Sequence, residues 1–259
     1  MSLDTTIALQ DLQLFALLGE MKSIKNIRSP GKKELASLEK YFYDGRLNEA
    51  EKLAISLTQK FPKHQFGWKV LGIVLNQTGR ITESLIPCQK AVQLAPHDVD
   101  AHYNLGVTFE ALNRLEESEA SLLQAIALKP DFAEAHADLG NTLKEMGRLE
   151  EAEAALTQAI SLKPDFAEAH ADLGNTLKEM GRLEEAEAAL TQTIAIKPDF
   201  AEAYNNLGVV LTAMGNLEAA EAHQRKAITL NPNSEKAHNN LGVTLQEIGR
   251  LSEAETTFR

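Results

Sequence analysis

The stretch AEAHADLGNTLKEMGRLEEAEAALTQ, Ala133 to Gln158, returns unchanged from Ala167 to Gln192. The offset is 34 residues, and the period continues in both directions. A proline recurs at Pro62, Pro96, Pro130, Pro164, Pro198 and Pro232. One glycine recurs at Gly72, Gly106, Gly140, Gly174, Gly208 and Gly242. A second recurs at Gly45, Gly79, Gly147, Gly181, Gly215 and Gly249, with Asn113 standing in once. A small residue recurs at Ala50, Ser84, Ser118, Ala152, Ala186, Ala220 and Ala254. Self-similarity at a fixed period of this length marks a repeat architecture. The units are 31–64, 65–98, 99–132, 133–166, 167–200, 201–234 and a partial 235–259. Residues 1–30 lie outside the period and carry Leu9, Leu12, Phe15, Leu18 and Met21. They are expected to form a helical cap over the first unit, because solenoid ends need cover.

Each unit reads as two helices. In 133–166, His136, Leu139, Gly140 and Leu143 fall at helical spacing, as do Leu149, Ala152, Leu156, Ala159 and Ile160. Gly147 breaks the pattern between them and Pro164 closes the second helix. Asp165 with Glu168 reads as a capping box for the next helix, as do Asp131 with Glu134 and Asp199 with Glu202. Gly140 and Ala152 lie on the apolar stripes and let two backbones approach closely. One such hairpin cannot bury its own apolar face, so neighbours must stack on it. The fold class is all-α, with at least thirteen helices in 31–259.

These residues resemble the tetratricopeptide repeat. Trp68, Leu71, Gly72 and Leu75 follow the front of its W-x2-L-G-x2-Y signature, with Leu for Tyr. His136, Leu139, Gly140, Leu143, Ala152, Leu156 and Pro164 follow the whole of it, with His for Trp and Leu for Tyr and Phe. The resemblance covers residues 31–259 and implies a right-handed superhelical solenoid of about six and a half repeats, its concave groove lined by the first helix of each unit. The phrase AEAHADLGNTLKEMGR also resembles repeats in the non-catalytic half of O-linked N-acetylglucosamine transferases.

What the resemblance implies about binding concerns unit positions 2, 5, 6, 9, 12 and 13, which line the groove in such folds. Position 6 holds Asn104, Asp138, Asp172, Asn206 and Asn240, one polar rung per unit. An asparagine amide both donates to and accepts from a peptide backbone, so the row suits an extended chain. Tyr103, Asn205 and Asn239 stand beside it at position 5, Asn141 and Asn175 at position 9, Lys144 and Lys178 at position 12. Glu134, Glu168, Glu145 and Glu179 make the middle of the groove acidic, which favours a neutral or basic partner. The carboxylate clamp of some family members needs Lys at position 5 and Asn at position 9 of one unit. Lys69 shares its unit with Ile73, and Asn141 shares its own with Ala137, so that pattern is not met.

Composition bounds the remaining classes. The formal net charge of the 259 residues is -11. Units 133–166 and 167–200 each carry seven acids against three bases. An acidic balance opposes nucleic acid as a partner, since phosphate recognition needs basic patches. The longest wholly apolar run near the start, Phe15–Leu18, is too short for membrane insertion. Cys88 is the only cysteine, and it falls on the apolar stripe of a second helix. One cysteine and no basic leader suit a reducing, cytoplasmic setting. His102, His136, His170 and His238 recur with the period, but successive first helices stand about 10 Å apart. Zinc holds nitrogens at about 2 Å, so these histidines are read as packing groups and no metal is expected. No phosphate loop, metalloprotease helix or nucleophile elbow occurs, so neither a cofactor nor catalysis is expected.

The function expected is a protein-interaction scaffold holding an extended peptide or protein segment. Two alternatives stand beside it. One is the targeting region of a larger enzyme, to which the stop in mid-hairpin at Arg259 lends support. The other is a self-assembling protein, associating through an uncapped C-terminal end or the N-terminal helix.

Overall fold

A computed structural model of the chain describes residues 29–258. The cap helix expected over 1–30 therefore lies, apart from its last two residues, outside the described residues. Those described form fourteen α-helices and no strand. In chain order they are α1 Lys32–Tyr43, α2 Leu47–Lys60, α3 Gln65–Gln77, α4 Ile81–Leu94, α5 Val99–Ala111, α6 Leu115–Leu128 and α7 Ala133–Glu145. Then follow α8 Leu149–Leu162, α9 Ala167–Glu179, α10 Leu183–Ile196, α11 Ala201–Ala213, α12 Leu217–Leu230, α13 Glu235–Ile248 and α14 Leu251–Thr257.

Every helix packs on the next, so the chain stacks as a solenoid. Odd-numbered helices also lie close to the odd-numbered helices of neighbouring units, whereas the backbones of the even-numbered ones stay apart. The stack is tight along the odd helices and splayed along the even ones. The odd helices therefore form the inner face of the curve.

From unit 65–98 onward the two helices meet at the glycine of the odd helix, whose place Leu38 takes in the first unit. A Cβ added to Gly140 would stand 2.6 Å from Leu156 Cγ and 3.3 Å from the Ala152 carbonyl oxygen. Leu156 is fully buried, so it has no free volume into which to retreat. The turn between the helices needs a left-handed residue: Gly147 has φ 75° and Asn113 has φ 56°. Asparagine tolerates this region better than other residues with a Cβ, which explains the one exception to glycine.

Units are then joined by side chains from the even helices. Cys88 packs with Leu105 and Phe109, Leu122 with Leu139 and Leu143, and Leu190 with Leu207 and Leu211. Along the edge, the arginine that opens an even helix bridges backwards to the preceding unit. Arg148 Nη1 meets Glu119 at 2.7 Å, and Arg250 Nη1 meets Glu221 at 2.7 Å. Arg80 pairs likewise with Glu51, and Arg182 with Glu153. The bridge is missing at Arg114, where Leu85 replaces the acid, and at Asn216, which replaces the arginine.

The capping boxes expected at Asp131, Asp165 and Asp199 do not form. The residues that begin α7, α9 and α11 follow Phe132, Phe166 and Phe200, and none of these makes a side-chain cap. The physical reason is a turn one residue longer than expected: the Phe166 N–H donates to the Lys163 carbonyl at 3.0 Å. The Lys163 ammonium then lies 4.5 Å from the centre of the Phe166 ring and bonds Glu134 at 3.1 Å. Capping side chains occur where that last residue is Asp or Ser instead of Phe, but not at His64. Asp98 accepts from the Ala101 N–H at 3.0 Å and Ser234 from the Ala237 N–H at 3.3 Å.

The periodic histidines are packing groups at the unit boundary. A ring nitrogen of His136 lies 3.0 Å from the Pro130 carbonyl oxygen, and that of His170 lies 3.1 Å from Pro164. Trp68 makes the same bond, from Nε1 to the Pro62 carbonyl, at 3.0 Å. His102, His136 and His170 thus replace the tryptophan's N–H donor as well as its bulk, whereas His238 bonds the Ser234 carbonyl through Nδ1 at 2.9 Å.

Two substitutions check this packing account by thermal unfolding. Gly140→Ala is expected to cost about 1–3 kcal/mol, because Leu156 has nowhere to go. Asn113→Gly is expected to stabilise by about 0.5–1 kcal/mol by relieving a left-handed residue. Equal melting temperatures for both variants would refute it.

Candidate functional site

The inner face of the solenoid gathers the polar side chains singled out in the odd helices. Asn104, Asp138, Asp172, Asn206 and Asn240 occupy the same helical position in α5, α7, α9, α11 and α13. All five are partly buried, which is deeper than a solvated face would place them.

Most of them already have partners. Asn104 Nδ2 donates to the Asp100 carbonyl at 2.6 Å, within its own helix. Asn141 Nδ2 donates to Asp172 Oδ2 at 2.8 Å, linking α7 to α9. Lys144 Nζ reaches Asn141 Oδ1 at 3.4 Å. Asn240 Nδ2 donates to Asn205 Oδ1 at 2.9 Å, and Asn205 Nδ2 to Asn206 Oδ1 at 3.1 Å, linking α13 to α11. Asn205 is buried, while Asn239 is exposed and Lys178 half-buried. Asn175 Oδ1 is buried without a hydrogen-bond partner. A groove that is simply solvated in the absence of ligand is therefore not what the side chains form. Substitution of Asn240 removes a bond between units, so it affects stability as well as any binding. The spacing in the sequence identifies the row of residues but not these cross-unit pairs, which depend on the curvature that brings odd helices together.

The middle of the face is a shared carboxylate environment. Tyr103 packs its ring 4.8 Å from that of Phe132 and presents its hydroxyl to Asp138. Burial, followed by the negative charges of Asp138, Glu145 and Asp172, pushes Glu110 up to about 7. Burial likewise pushes Asp138 up to about 6, against the opposing effect of the Tyr103 hydroxyl. Burial raises Asp172 too, with the Asn141 amide pulling the other way. Glu110 is a member of the site that the sequence reading does not pick out. Its signal is present there, since it occupies position 12 of its unit, where Lys144 and Lys178 stand in the next two. Lys69 is neutralised elsewhere, by Asp98 at 3.0 Å and Asp100 at 3.1 Å.

Cys88 is buried, and burial pushes its thiol up, away from the reactive thiolate. Among the described residues no group of His, Cys, Asp and Glu is placed to hold a metal ion. No helix among them is long and apolar enough to cross a membrane.

Comparison with known proteins now decides the family. The models described as "Tetratricopeptide repeat" match residues 143–208 and 199–259, and one described as "TPR repeat" matches 109–147. The chain is a tetratricopeptide repeat protein. Among solved structures it is similar to MamA, with 26% identity over 62% of this chain and 95% of that one, at a TM-score of 0.57. A thermophilic tetratricopeptide repeat protein of Thermus thermophilus is 24% identical over 71% of this chain and 100% of that one, at 0.59. YrrB, described as a tetratricopeptide repeat protein with an unusual peptide-binding site, is 21% identical over 71% of this chain and 95% of that one, at 0.56. The last two likenesses establish the fold alone. No curated protein matches the sequence significantly. Tetratricopeptide repeat proteins generally mediate protein–protein interactions.

The carboxylate environment makes stability depend on pH. Unfolded glutamate and aspartate titrate near pH 4. Glu110 at about 7 and Asp138 at about 6 therefore bind more protons folded than unfolded over that window. Stability contributed by these groups is full below the unfolded values and is lost as pH rises through the folded ones. Glu83 and Glu151, each hydrogen-bonded by the arginine that opens its own helix, shift downward, so they act at lower pH. His223 is lowered by burial and works in the opposite direction, which makes the variant comparison necessary. Glu110→Gln is expected to raise the melting temperature at pH 8 by several degrees and to leave it nearly unchanged at pH 5. An equal shift at both pH values would contradict the assignment.

Proposed function

We propose that the chain is a scaffold that binds an extended peptide or protein segment along its inner face. The observation that carries this reading is the row of amide and carboxylate side chains from Asn104 to Asn240, one per odd helix, along the side where the helices crowd together. Such groups exchange hydrogen bonds with a peptide backbone while reading little of its sequence. The excess of carboxylates around Asp138 and Asp172 supports a neutral or basic segment over an acidic one. A right-handed superhelix would present the row as one continuous groove. The site residues in this reading are Tyr103, Asn104, Asp138, Asn141, Lys144, Asp172, Asn175, Lys178, Asn205, Asn206, Asn239 and Asn240. No catalytic role is assigned to any of them.

The test is capture of a partner from source-cell lysate with the whole chain, followed by titration calorimetry. Asn206→Ala with Asn240→Ala should weaken binding by about 1–3 kcal/mol, at about 0.5–1.5 kcal/mol for each hydrogen bond. A control pair on the outer helices, Glu116→Ala with Glu150→Ala, should leave affinity unchanged. Melting curves of both pairs separate lost contacts from lost folding. A partner whose affinity follows the outer pair and ignores the inner one would exclude the inner face as its site.

A further inference from the structure

One joint of the solenoid is built differently from the others. The even helix of a unit carries a side chain that plugs the next unit, and this is Cys88, Leu122, Leu156 and Leu190 in successive units, all buried. Cys88, Leu122 and Leu190 each join an apolar cluster with the leucine or phenylalanine side chains of the following odd helix. In α12 the equivalent residue is Gln224. It is 1% exposed, and its Oε1 has no hydrogen-bond partner. The apolar cluster of the last joint, Leu241, Leu245 and Ala254, forms without it. An amide oxygen buried without a partner destabilises the closed joint.

Ile228 of α12 still packs on that cluster, and the other fastenings of this joint are polar. Arg250 Nη1 bonds Glu221 at 2.7 Å, and Arg225 Nη2 stands 3.5 Å from Glu253. The Thr212 and Thr244 hydroxyls meet at 2.8 Å. Asn240 donates to Asn205 at 2.9 Å on the inner face. All of these groups accept water as a substitute when the joint parts, and so does the orphaned Gln224 carbonyl. An apolar plug has no such substitute, because parting it exposes hydrocarbon to water.

We propose that the joint between α11–α12 and α13–α14 is a hinge, opening more readily than the apolar joints before it, with Gln224 as the residue that sets its ease of opening. The joint lies beneath the Asn205–Asn240 pair, so its opening changes the spacing of the last two rungs on the inner face. In a one-dimensional stack, a weakened interface loosens the units beyond it and leaves the earlier ones intact.

Hydrogen exchange followed by mass spectrometry on the full chain tests this. In the wild type, amides of α13 should exchange faster than those of α7 and α9. Chain ends open readily in any stack, so substitution at the joint decides between the explanations. Gln224→Leu restores the plug and should slow exchange across α13 by about tenfold, leaving α7 and α9 unchanged. The converse change, Leu190→Gln, should move the loosening one joint earlier, so that α11 and α12 lose protection together with α13. Unchanged α13 exchange in Gln224→Leu would overturn the proposal. So would a uniform slowing over the whole chain, which would mean that Gln224 affects global stability and not this joint.

Discussion

The contact on which the rest of the structure depends is that between the bare backbone of a glycine in each odd helix from α3 onward and the side chain facing it from the second half of the hairpin. At Gly106, Gly140 and Gly174 that side chain is Leu122, Leu156 or Leu190, and no Cβ fits between them. The absence of a side chain on one helix lets the leucine on the other sink until it is fully buried. A leucine so placed also reaches the following unit, as Leu122 and Leu190 do. Closing a hairpin and joining two hairpins are thus the same packing event. This is why a change from Leu to Gln at position 224 disturbs a joint as well as a hairpin.

Curvature follows from where the bulk is placed. Odd helices approach one another across units while even helices do not. Polar groups on the odd helices are consequently crowded, and crowding changes their chemistry. Asp138 and Asp172 would be ordinary surface carboxylates on an isolated helix. Shielded from water on the inner face, they hold protons more tightly than carboxylates usually do, and their charges add to the burial that raises Glu110. The same crowding pairs Asn141 with Asp172 and Asn240 with Asn205. The inner face is therefore an ordered polar surface, and a segment bound there as proposed would exchange hydrogen bonds with it, each bond made replacing one already present.

The edge ion pairs have a different standing. The arginines of the even helices are substantially exposed, so each pair adds little stability. Their value is geometric, because an arginine anchored to its own helix and to the unit before it fixes the rotation between the two. Where Asn216 interrupts the series, the apolar cluster of Leu190, Leu207, Val210 and Leu211 still fastens the joint. Where Gln224 interrupts the plug, Arg250 and Glu221 remain. Each of these joints keeps one of the two devices.

The 34-residue period, the helical hairpins, the left-handed turns and the packing role of the histidines can all be read from the sequence, because each depends on residues close in the chain. The glycine and its facing leucine are legible for the same reason, lying only 16 residues apart. Helix starts are legible only in part: aspartates that look like caps are displaced by a turn one residue longer, closed by a backbone hydrogen bond and covered by a lysine ammonium over the Phe ring. The membership of the inner row is legible from its spacing. Its internal bonds, its shared carboxylate environment with Glu110, and the orphaned carbonyl of Gln224 were decided only by tertiary structure. They depend on how far one unit is rotated and shifted against the next, a quantity set by the fit of side chains across each joint.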